Sequence, residues 1–185
     1  MPPTLNPLKR LIAWRFRTSN CEKLYGAIVA QARLPDFYRS FGIPDSLEGR
    51  FGLLALNLFA VLHALAGGGP EGRALAQALA DRFSKDMETV LRELGIGDLA
   101  IPKKMRKLAR SSRGLLEHYA AALARGDAAL AAAIEASLPA KPGSLGLSSE
   151  ALASYVRESI EKIGRQPLAA LEAGRVDFAP IPNTR

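Results

Sequence analysis

From Phe51 to Gly69 the chain reads FGLLALNLFAVLHALAGGG, a stretch with no formal charge and nearly the length of a membrane span. A helix built from it is apolar on almost every side, so almost every side has to be covered. Asn57, His63 and the terminal glycines argue against a lipid cover. The cover must then come from other helices of the same chain, and the stretch predicts the buried central helix of a bundle. With 185 residues, 48% of them hydrophobic, the chain is long and apolar enough to build such a core in one domain.

The flanking segments supply the neighbours. Asn20 is placed to cap a helix to about Arg33, in which Leu24, Tyr25, Ile28, Val29 and Ala32 make one apolar face. Pro35 suits the first turn of a short helix that stops at Gly42, and Asp45 with Glu48 predicts the cap of the long apolar helix. The GGGP of residues 67–70 breaks that helix. From Pro70 to Leu94 the positions Leu75, Leu79, Phe83, Met87, Val90 and Leu94 keep a helical spacing, with Gly95 as terminator.

Pro102 opens the next helix, with a stripe of Met105, Leu108, Ser112, Leu115 or Leu116, Tyr119 and Leu123. An alanine-rich helix to about Leu138 is expected to pack closely against the body through its small residues while adding little apolar area of its own. Ser148 or Ser149 is expected to cap a helix through Ile163, and a short helical piece follows Pro167. No alternating strand pattern and no fixed-period repeat occurs. The reading is all-α: a compact, bundle-like single domain over residues 20–174, with a basic amphipathic arm at 1–19 and an extended tail at 175–185.

A net charge of +7 favours acidic partners. Two segments concentrate it. One is the arm, where Lys9, Arg10, Arg15 and Arg17 interleave with Leu8, Leu11, Ile12, Trp14 and Phe16, a pattern suited to an anionic membrane surface and without the apolar run of a secretory signal. The other is the band Lys103, Lys104, Arg106, Lys107, Arg110 and Arg113, which lies largely off the apolar stripe of its helix. No aromatic interrupts the band to stack on bases, and no nucleic-acid module accompanies it, so nucleic acid is the weaker reading.

Catalytic constellations are scarce. His63 and His118 stand far apart and read as packing and surface residues, no His-Cys pattern has metal-site spacing, and GGGP lacks the Lys-Ser/Thr ending of a phosphate-binding loop. Asp86 and Glu93 share a helix side, but Arg82, Lys85 and Arg92 interleave with them as on an ordinary solvated face. Neither an enzyme nor a metal or other cofactor is expected; the rivals are a generic basic helical module and a carboxylate-metal enzyme. The single cysteine, Cys21, allows no intramolecular disulfide, in keeping with a reducing compartment.

Three segments, LYGAIVAQARLPDFYRSFGIPDSLEGRF, LADRFSKDMETVLRELGIGDLAIPKKM and HYAAAL, carry a family resemblance. Their most specific pieces are the QAR…FY of Gln31 to Tyr38, the GRF of Gly49 to Phe51, and Asp86, Met87, Arg92, Glu93, Gly95, Gly97, Asp98, Lys103 and Met105. The chain resembles the ubiquinol-cytochrome c chaperones, assembly factors of the respiratory ubiquinol:cytochrome c oxidoreductase, from about Leu24 to Leu123 and more faintly to Phe178.

The resemblance implies a non-enzymatic chaperone that binds newly made cytochrome b, supports its haem acquisition, and often works with a second chaperone subunit. On that reading Tyr38, Arg50, Asp86, Arg92, Glu93 and Asp98 face the client. By their charge, Lys9, Arg10, Lys103, Lys104, Arg106, Lys107 and Arg110, with Trp14 among them, are expected to face the membrane or another acidic partner. The expected location is the cytoplasmic side of a bacterial inner membrane, or the matrix side in a mitochondrion.

Overall fold

The computed structural model describes the backbone of residues 7–97, 99–139 and 146–182, and the side chains of 20–97, 99–139 and 149–182. These hold eight helices and no strand: α1 Pro7–Ala32, α2 Pro35–Phe41, α3 Leu47–Ala66, α4 Gly69–Glu93, α5 Ile101–Arg125, α6 Asp127–Ser137, α7 Gly146–Arg165 and α8 Leu168–Glu172. The expected all-α domain is what forms.

Helix α3 is the central helix that its composition requires. Leu53, Leu56, Phe59 and Ala60 enter one core cluster with Phe37 and Phe41 of α2, Tyr119 of α5, Leu130 and Ile134 of α6, and Leu152 and Val156 of α7. Leu58, Val61 and Leu65 enter a second with Leu24 and Ile28 of α1, Leu75, Leu79 and Phe83 of α4, and Ile163 and Leu171. Each fully buried leucine removed from water contributes about 1.5–3 kcal/mol. One helix shared by two clusters explains why its sequence has so little polar face. It alone among the described helices is long and apolar enough to cross a membrane, and most of that stretch is buried inside the protein.

Local signals set most helix ends. Pro35 stands at the start of α2, which ends on Gly42 in the left-handed region (φ 61°). After α4, Gly95 at φ 75° donates its N–H to Arg92 O at 2.9 Å, and Ile96 donates to Leu91 O at 3.3 Å. This paired closure takes up two of the last carbonyls of the helix, and a side chain at Gly95 would strain it.

Three expectations are corrected. Helix α1 begins at Pro7, so Asn20 lies within it and caps nothing, and the backbone of the arm is continuous with the first core helix. The cap of α3 is Ser46, whose Oγ accepts from Gly49 N–H at 3.2 Å; the serine hydroxyl is correctly placed for the third helical amide, which leaves Asp45 free to pair with Arg50. Helix α7 starts at Gly146, ahead of Ser148 and Ser149. The small residues of the alanine-rich α6 pack closely against α5 and α7, as expected, and bury Ala131 and Ala133 together with Leu130 and Ile134.

Residues 175–182, after α8, are extended and stay on the body. Ala179 N–H donates to the buried Ser159 Oγ at 3.0 Å, Lys162 pairs with Asp177 at 3.2 Å, and Phe178 and Ile181 pack against the core.

Candidate functional surface

The residues singled out in the sequence fall into three groups. Tyr38 and Arg50 meet at the corner between α2 and α3. Arg50 grips Asp45 with two hydrogen bonds, Nε to Oδ1 at 2.6 Å and Nη2 to Oδ2 at 3.2 Å. That donor pair holds the Asp45 carboxyl below its ordinary pKa, and the carboxylate in turn raises that of the guanidinium. Tyr38 donates its hydroxyl to Ala32 O at 3.2 Å, closing the α1–α2 turn, and partial burial, with Asp45 nearby, pushes its pKa up. Asp45 and Arg50 are exposed and charged, with Tyr38 half-buried beside them.

Asp86 is placed differently. Its Oδ2 accepts from Tyr25 Oη at 2.8 Å and its Oδ1 meets Arg82 Nη1 at 3.5 Å, while Arg82 Nε also reaches Glu22 at 2.7 Å and the guanidinium lies 4.8 Å from the centre of the Tyr25 ring. The four side chains clamp α4 to α1. Asp86 is therefore occupied within the fold, a role that needed the α1–α4 packing to be seen. Arg92, the penultimate residue of α4, meets Glu88 one turn earlier at 2.9 Å on the exposed face, and Glu93 beside it is exposed. Asp98 lies outside the described residues.

Lys103, Lys104, Arg106, Lys107, Arg110 and Arg113 are all exposed along the first half of α5. At about 100° per residue they span the half of the helix opposite Ile101, Met105, Leu108 and Ser112. Among the described residues none of the six has an ion pair, whereas Arg39, Arg50, Arg82, Arg92, Arg157, Lys162 and Arg165 each have a carboxylate. The side chains of Lys9, Arg10 and Trp14 lie outside the described residues.

His63 is exposed at the edge of α3 with its ring 5.5 Å from that of Phe59, and partial burial lowers its pKa; His118 is exposed on α5. Among the described residues no group of three or more His, Cys, Asp or Glu is placed to hold a metal. An open hollow of about 350 Å³ lies between Gln31, Leu34 and Asp36 and the strip Val176–Ile181. The arrangement offers separate charged surfaces on a rigid helical body, suited to docking.

The sequence pattern of the ubiquinol-cytochrome C chaperone family matches residues 39–178, well over half of the chain. The chain belongs to that family. It is similar to a solved crystal structure of the Cbp3 homolog from Brucella abortus, at 36% identity and a TM-score of 0.81, covering 95% of this chain and 96% of that one. No curated protein matches it. The resemblance read from the three segments is thereby shown, and it extends through the tail to Phe178.

Proposed function

We propose that this protein is a non-enzymatic assembly chaperone that binds newly synthesised cytochrome b and supports its entry into ubiquinol:cytochrome c oxidoreductase. The observation that carries the reading is the family match over residues 39–178, together with 36% identity to the Cbp3 homolog over nearly the whole of both chains. The client surface is formed by the exposed Asp45 and Arg50 beside the half-buried Tyr38, and by Arg92 and Glu93 on the exposed face at the end of α4. Loops of membrane proteins on the cytoplasmic side are rich in Lys and Arg, which favours acidic groups in the chaperone. Asp86 supports that surface by fixing α4 against α1.

The basic band of α5 and the arm face anionic lipid, each basic group near the surface contributing about 1 kcal/mol. The protein works peripherally at the cytoplasmic face of a bacterial inner membrane, or on the matrix side in a mitochondrion, and can act with a second chaperone subunit.

The test is capture by the tagged protein from native membranes in mild detergent, read by mass spectrometry. Cytochrome b enriched over the other subunits of the mature complex supports the proposal. Recovery of the complete complex in equal proportion, or of no respiratory subunit, overturns it.

A further inference from the structure

Four large hydrophobic side chains are markedly exposed among the described residues, and two of them, Leu94 and Leu99, stand on the one turn that joins α4 to α5. Leu94 is 57% exposed and Leu99 wholly so. Leaving two leucines in water within five positions is unfavourable unless something apolar receives them. The turn is held in place from both sides: Gly95 and Ile96 close the end of α4, Ala100 N–H donates to Gly97 O at 2.8 Å, and Ile101 is buried directly behind the tip. Leu94 thus sits on the closed end of α4 and Leu99 two residues before the buried Ile101 that opens α5.

The unpaired basic face of α5 begins immediately after the tip. From Leu94 to Leu116 the chain has six basic residues against one acidic, Asp98. We propose that this hairpin is a lipid-insertion wedge: Leu94 and Leu99 enter the interfacial region of an anionic bilayer while Lys103, Lys104, Lys107 and Arg110 engage the head groups beside it. Charge complementarity selects anionic lipid, and the leucines need a hydrocarbon phase that a nucleic-acid backbone does not offer. The aromatic side chains used to stack on bases are missing from the band, which removes the other ready use for it. The wedge rests on the reading of the α5 band as membrane-facing and adds insertion to it.

The test uses the full chain with vesicles of phosphatidylcholine alone or mixed with phosphatidylglycerol, assayed by flotation. The unmodified chain should float with the mixed vesicles only. Leu94→Ser and Leu99→Ser should each weaken binding about tenfold. These positions are exposed, so the variants should keep the parent's helix content and melting temperature. A polarity-sensitive fluorophore on Leu99→Cys, with Cys21 buried and shielded from labelling, should shift to the blue on mixed vesicles and be quenched by spin-labelled lipid.

A label that stays in water, with both serine variants binding like the parent, overturns insertion; if Lys103→Glu with Lys107→Glu still weakens binding, the membrane-facing reading of the band survives. Should the charge reversal also leave binding unchanged, that reading fails as well. Binding of RNA or of an acidic protein without vesicle flotation assigns the hairpin to that partner and overturns the wedge.

Discussion

Tyr25 on α1 and Asp86 on α4 are joined by a 2.8 Å hydrogen bond across 61 positions of sequence. The tyrosine ring is buried in the second core cluster while its hydroxyl reaches the carboxylate at the edge, so one residue both packs and clamps. Arg82 completes the arrangement by lying against the ring and bridging Glu22 and Asp86.

Tyr25→Phe keeps the packing and removes the clamp. Hydrogen bonds to charged groups are worth more than neutral ones, and the partial exposure of Asp86 moderates this one, so the loss should be about 1–2 kcal/mol by urea unfolding. Asp86→Asn retains an acceptor and should cost less than Tyr25→Phe. Equal stability of Tyr25→Phe and the parent would show that Asp86 does not serve the α1–α4 contact.

Between α1, α3 and α7 a polar chain crosses the core: Gln31 Nε2 donates to Tyr155 Oη at 3.0 Å, Tyr155 Oη to Asn57 Oδ1 at 2.6 Å, and Asn57 Nδ2 to Leu53 O at 2.8 Å. Asn57 is the one strongly polar side chain wholly buried in α3. Asn57→Leu strands the Tyr155 hydroxyl donor and should destabilise by about 1–3 kcal/mol. In Tyr155→Phe with Asn57→Leu the stranded group is gone, so the double variant should be more stable than the sum of the single losses, which a denaturation cycle measures.

The four tyrosines, Tyr25, Tyr38, Tyr119 and Tyr155, all have pKa values raised mainly by burial, Tyr155 to about 12. The unfolded chain releases these protons from about pH 10, whereas the folded chain retains them. The unfolded state then binds fewer protons, so stability is intact below about pH 10 and falls as pH rises toward 12. Tyrosinate absorbance and helix loss should appear together in an alkaline titration. Full tyrosinate absorbance with native helix content would contradict the burial.

Gly49 heads the GRF of residues 49–51, and the structure gives a reason for that glycine. A Cβ there would collide with the Pro44 carbonyl oxygen, a backbone atom that cannot swing aside. Gly49→Ala should therefore lower the melting temperature by several degrees, corresponding to about 1–3 kcal/mol. At Gly97 a Cβ meets open space and alanine should be tolerated. A Gly49→Ala variant as stable as the parent would mean that the α2–α3 corner can open.

Arg50 and Asp45 form an exposed pair, whose contribution to stability is small in water. Arg50→Ala should leave the melting temperature unchanged while weakening capture of cytochrome b. Unchanged capture would remove this corner from the client surface.

Periodicity and punctuation in the sequence were enough to define the helices as a class and most of their ends. Pro35, Gly42, Gly95 and Pro102 act through their own backbones, so their effect is local and readable in order. The uncharged run of α3 likewise forces burial wherever its neighbours happen to lie. Ser46 and not the neighbouring Asp45 caps α3, because a cap is decided by an atom's reach to one amide and not by residue type.

What only the tertiary structure decided is partnership across the chain. Asp86 reads as a free surface carboxylate until α1 brings Tyr25 to it, and Asn57 reads as an interruption until Tyr155, 98 positions away, supplies the hydrogen bond that makes it tolerable in a core. The alanine-rich α6 gains its value in the same way, from how closely two other helices approach it. Helical spacing is set within a few residues by backbone geometry, whereas the pairing of buried polar groups depends on which faces the whole fold presses together.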